Sequence, residues 1–154
     1  MRLSRRTFLG TTLSTGIVLS APAVIGQARP RVVVIGGGAG GATAARYLAK
    51  DSDGALDVTL VEANPIYTTC FFSNLYLGGF RDFDSLQHGY ERLAASGITV
   101  ITDTATAVDR AARTVTLASG QALAYDRLVL SPGIDFKEGS VPGWTTDHAN
   151  VMPH

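Results

Sequence analysis

The chain has 154 residues, with 13 basic and 13 acidic side chains, a single cysteine and 45% hydrophobic residues. Its charge is balanced and forms no basic cluster, so nothing points to nucleic acid or an anionic membrane surface as a partner. The length suffices for one core, and no internal repeat or low-complexity segment interrupts it.

The N-terminal residues read as a leader. Ser4-Arg5-Arg6-Thr7-Phe8-Leu9 is a twin-arginine pattern, followed by an uncharged stretch to Ser20 and the small residues Ala21-Pro22-Ala23. As a helix, residues 9–20 would span about 18 Å, short of the ~30 Å bilayer core, so no transmembrane span is expected. Residues 1–23 are therefore assigned to a signal peptide, with Ala28 as a later cleavage point, and the mature protein is expected in the periplasm. Removing Arg2, Arg5 and Arg6 leaves ten basic against thirteen acidic residues.

The mature segment, 30–154, opens with an apolar run at 31–35 that predicts a buried parallel strand. Gly36-Gly37-Gly38-Ala39-Gly40-Gly41 follows, and an alanine-rich stretch predicts a helix over 39–49. A strand is predicted at 57–62, then a long loop at 63–81 whose length marks it as a functional segment. Asp84 or Ser85 can cap a helix ending at Ser96, with Leu86, Tyr90, Leu93 and Ala94 on one face. Strands follow at 98–101, 104–109, 113–117 and 121–124, the last three forming a meander with a turn at Ala118-Ser119-Gly120. Residues 127–130 return to a buried strand that ends in Ser131-Pro132-Gly133.

This order predicts an α/β, Rossmann-like fold in three layers, a parallel sheet with an antiparallel β-meander. It is the order of the first segment of a two-dinucleotide-binding flavoprotein, incomplete here, with further domains expected after His154.

Within it, Gly-x-Gly-x-x-Gly between strand and helix forms a dinucleotide cradle. Gly36 can take a conformation that a side chain forbids, Gly38 lets the main chain approach a pyrophosphate, and Gly41 lets helix and strand pack closely. Ala39 and Gly40 open the helix, whose free N–H groups face the phosphates. Glu62 ends the second strand 21 residues beyond Gly41, where a carboxylate can accept the hydroxyls of an adenosine ribose. The fingerprint alone fits FAD and NAD equally. The twin-arginine route carries folded proteins with cofactor already inserted, which favours tightly bound FAD.

Cys70 stands alone. A lone cysteine read by composition is a small buried hydrophobe, whereas one in an exported protein suggests a reactive thiol. Its context is Tyr67-Thr68-Thr69-Cys70-Phe71-Phe72-Ser73-Asn74, in the long loop after Glu62.

The stretches GGGAGGATAARYL, YTTCFFSN followed by GG, LQHGYERL and YDRLVLSPGI are together similar to the flavoprotein subunit of flavocytochrome c sulfide dehydrogenase. That resemblance covers the whole mature segment and extends to sulfide:quinone reductases. It implies that Cys70 is tied by a thioether to the 8α-methyl carbon of FAD, that Pro132 and Gly133 pass near the cofactor, and that a c-type cytochrome subunit is the partner and sulfide the substrate. The redox cysteine pair of that family has no counterpart here, so the resemblance places the catalytic residues in a C-terminal part beyond this segment. Two alternatives are an exported NADH- or quinone-linked flavin reductase of the same fold, and a catalytically silent nucleotide-binding fragment. His88 reads as solvated and Trp144 as a packing residue, while His148 and His154 suggest no metal site.

Overall fold

The computed structural model describes residues 28–135, 137, 139–145 and 147; the leader, His148 and His154 lie outside them. The glycine loop joins β1 (Arg31–Ile35) to α1 (Ala39–Asp51), and β2 (Asp57–Glu62) follows. Next come β3 (Ile66–Thr68), α2 (Ser73–Leu77), a 3-10 turn (Phe83–Leu86), β4 (Gln87–Gly89) and α3 (Glu91–Ala95). The chain then forms β5 (Thr99–Thr102), the strands β6 (Ala105–Asp109), β7 (Thr114–Leu117) and β8 (Ala122–Ala124), and finally β9 (Arg127–Leu130).

A parallel sheet in the order β5-β2-β1-β9 forms the middle layer. Alternation along β1 explains the two outer layers, because successive side chains of a strand point to opposite faces. Val32 and Val34 face α1 and cluster with Ala45, Val58, Leu60, Tyr90 and Ile98. Val33 faces the other way and joins Val61 with Val115, Leu117 and Tyr125 of the meander segment. The unbroken apolar run of β1 is thus that of a strand covered on both faces. Val34 and Leu60 are fully buried, and burial of such a side chain contributes roughly 1.5–3 kcal/mol. Among the described residues no helix is long and apolar enough to cross a membrane.

Two expectations are corrected. The helix expected over 84–96 is broken into the 3-10 turn, β4 and α3, because Gln87–Gly89 pairs antiparallel with Ile66–Thr68 and must be extended. The loop expected over 63–81 contains β3 and α2. The helix expected over 39–49 continues to Asp51 and is closed by Ser52, whose N–H reaches the Leu48 carbonyl at 3.2 Å.

Candidate functional site

The glycine loop lies at the C-terminal ends of β1 and β9, where open α/β sheets bind ligands. Gly36 has φ of +98°, and a Cβ there would overlap the Ser131 carbonyl. A Cβ on Gly41 would overlap the Gly36 carbonyl, so helix and strand approach as only glycine allows. Gly38 differs: its φ is −66°, and a Cβ would meet nothing nearer than the Tyr67 ring at 3.8 Å. Among the described residues no packing demands glycine there. What the missing side chain leaves is open space in front of α1.

The start of α1 suits an anion. Gly38 is its N-cap, no side chain caps it, and its first turn contains no acidic residue. Ala42 N–H bonds to the Gly38 carbonyl at 3.0 Å, so Ala39, Gly40 and Gly41 precede the first intrahelical bond and contribute the outward donors.

Glu62 lies beside this loop. Its Oε2 accepts the Gly37 N–H at 2.5 Å and its Oε1 accepts the Asn64 N–H at 3.0 Å. A carboxylate offers about four lone-pair sites, so two accepted bonds leave capacity for hydroxyls. On the far side, Ser131 N–H bonds to the Ile35 carbonyl at 2.8 Å, and Gly133 has φ of +83°. Ser131 thereby leads Pro132 and Gly133 past the glycine loop, and Glu62, the glycines and this turn converge on one end of the sheet.

Cys70 is exposed, unlike the buried hydrophobe that composition alone suggests for a lone cysteine. The preceding Thr69 is 7% exposed, its N–H bonds to the Leu86 carbonyl at 2.9 Å, and its Oγ1 accepts the Phe71 N–H at 3.2 Å. Two residues on, Phe72 adopts φ of +67°, a strained setting for a bulky side chain and one that concentrates at functional sites. A pinned threonine and a sharp turn present the thiol outward.

Sequence reasoning missed Tyr90 as a site residue. It is 8% exposed, lies beneath the loop, and donates its hydroxyl to the Gly37 carbonyl at 3.0 Å. Burial, then the charge of Glu62 and the neighbouring Tyr67, push its hydroxyl up to about 12, so it stays a protonated donor. The adjacent Gly89 was the available signal, since a glycine there interrupts the helix that made Tyr90 look like ordinary core. A cavity of about 220 Å³ beside the loop is lined by Gly37, Arg46, Tyr67, His88 and Tyr90 among others. A larger concavity, about 720 Å³ along Ala107 to Ala111, lies on the meander and includes none of the loop.

Residues 30–152 match the family described as pyridine nucleotide-disulphide oxidoreductase. The flavoprotein chain of the flavocytochrome c sulfide dehydrogenase of Chlorobaculum thiosulfatiphilum is 57% identical over 44 residues, covering 29% of this chain and 90% of that sequence. A probable ferredoxin reductase of Castellaniella defragrans is 35% identical over 121 residues, covering 76% of this chain and 29% of the relative. The sulfide:quinone oxidoreductase of Aquifex aeolicus superposes with a TM-score of 0.64 at 32% identity, over 71% of this chain and 26% of that one. This chain thus spans between a quarter and a third of the last two proteins. From the glycine loop, its acid partner and the three-layer sheet, the chain belongs to the pyridine nucleotide-disulphide oxidoreductase family of flavin-dependent oxidoreductases.

Proposed function

We propose that this chain is the N-terminal, FAD-holding segment of a sulfide dehydrogenase flavoprotein, which oxidises sulfide and passes electrons to a c-type cytochrome. The observation that carries it is Cys70, an exposed thiol on a braced turn eight residues beyond the acid that joins the glycine loop. Bound FAD would supply acceptance of electrons as a pair and their release one at a time. Gly38, Ala39, Gly40 and Gly41 would hold its pyrophosphate, Glu62 its ribose, and Cys70 would anchor its ring through a thioether, while Gly36 sets the turn and Pro132 and Gly133 line the approach.

In the full-length protein, the denatured band on an electrophoresis gel should fluoresce after acid precipitation, and Cys70→Ala should abolish that fluorescence. Flavin released wholly into the supernatant would overturn the covalent assignment. It would favour the second reading, an exported NADH- or quinone-linked flavin reductase, which the likeness to a sulfide:quinone oxidoreductase supports. We also propose a periplasmic location reached through Arg5 and Arg6. Changing both to lysine keeps the charge and should leave the folded protein in the cytoplasmic fraction; unchanged export would overturn the reading of the leader.

A further inference from the structure

Three hydrogen bonds fasten the glycine loop, two to β2 and one to Tyr90 at the start of α3. Gly36 N–H donates to the Val61 carbonyl at 2.8 Å, Gly37 N–H to Glu62 at 2.5 Å, and the Tyr90 hydroxyl to the Gly37 carbonyl at 3.0 Å. The third sets a direction. The Gly37 carbonyl and the Gly38 N–H belong to one peptide group, and all peptide bonds of the described residues are trans. In a planar trans peptide the N–H points opposite to the carbonyl. A carbonyl drawn inward onto a buried phenol therefore turns the Gly38 N–H outward, into the space that Gly38 leaves open in front of α1.

We infer that Tyr90 is a positioning residue for the phosphate cradle: its hydroxyl holds the Gly37 carbonyl inward and so aims the Gly38 N–H at the pyrophosphate of the bound dinucleotide. The inference rests on the reading of this loop as the cofactor cradle. Without the hydroxyl, that peptide is free to rotate, and a rotated carbonyl would present its negative end to the phosphates. The fit between ring and loop is close, because a Cβ on Gly37 would fall 2.5 Å from the Tyr90 hydroxyl oxygen. Tyr90 also stays protonated through the physiological range, so the donor is always present.

The test uses full-length protein carrying Cys70→Ala, freed of flavin, with ADP and adenosine as probes in titration calorimetry. Both contain the ribose that Glu62 would bind, and only ADP has the pyrophosphate. Tyr90→Phe keeps the ring and should weaken ADP about 3- to 10-fold, the span of one hydrogen bond, with adenosine unchanged. ADP binding equal to the parent's, or equal losses for both probes, would overturn the role of Tyr90. Failure of the parent to bind ADP at all would instead overturn the cradle reading.

A second variant guards against misfolding of the first. Gly37→Ala combined with Tyr90→Leu exchanges ring atoms for the added methyl and lacks the hydroxyl. It should bind ADP as weakly as Tyr90→Phe, and parental affinity in that pair would overturn the inference.

Discussion

Gly36 and Gly38 sit two residues apart in one motif, yet the physics requiring glycine differs between them. Gly36 needs glycine for the fold, through φ of +98° and the overlap of any Cβ with the Ser131 carbonyl. Gly36→Ala should therefore cost roughly 3 kcal/mol or more, strain and overpacking together, a large part of the ~5 to 15 kcal/mol that holds a domain together. A denaturant midpoint displaced accordingly is the measurement, and an unchanged midpoint would show that the loop is not built this way. Under the proposed function Gly38 needs glycine for the ligand. Its substitution meets no protein atom closer than 3.8 Å, so Gly38→Ala should cost no more than about 1 kcal/mol, the loss of a favoured N-cap residue, while the methyl enters the cradle and lowers ADP affinity. Equal stability losses for both variants would contradict this division of labour. The motif singles out the glycines and Glu62 as candidates at once, because their spacing is local. It could not reveal Tyr90, whose role depends on a contact 53 residues away.

At the scale of elements, periodicity made most of the fold legible: both flanking strands of β1 and the meander lie within a residue or two of where apolar runs placed them. The failure at 84–96 is informative. Leu86, Tyr90 and Leu93 have helical spacing and do face the interior, but tertiary pairing of β4 with β3 overrides the local preference. Register at the other edge is set by Arg31 and Asp126. Arg31 N–H donates to Asp126 Oδ2 at 2.8 Å, the guanidinium lies 3.3 Å from the same oxygen, and Asp126 N–H returns to the Arg31 carbonyl at 2.8 Å. Those bonds hold the Asp126 carboxyl below its usual value of 3.8, and the turn donors Ser119 and Thr104 do the same for Asp103. A carboxyl with a lowered folded value binds fewer protons folded than unfolded, so its contribution is present above 3.8 and is lost as pH falls through the folded value. Acid should destabilise the domain in that window. Asp126→Asn should flatten the acid side of the midpoint-against-pH curve, and a curve superimposing on the parent's would remove Asp126 from the account.

Across the whole molecule, the surface around α2 and after β9 is unusually apolar. Phe80 is 81% exposed, Ile134 77%, Leu77 and Leu130 63%, and Phe71 and Phe72 58%. Among the described residues, β5 and β9 of the four-stranded sheet each pair on one side only. Open strand edges and many exposed large apolar side chains both favour association. The full-length relatives are three to four times longer than the matched segment, so these surfaces are expected to be covered when the remainder of such a protein is present. Expressed alone, residues 24–154 should self-associate, read as a concentration-dependent elution volume in size-exclusion chromatography. With FAD added they should show no sulfide-dependent reduction of cytochrome c, because two-thiol chemistry at sulfur requires two cysteines and this segment has only Cys70. A monomer turning over at the rate of the full-length enzyme would mean that the exposed apolar surface is native to the segment and that sulfide oxidation here proceeds without a cysteine pair.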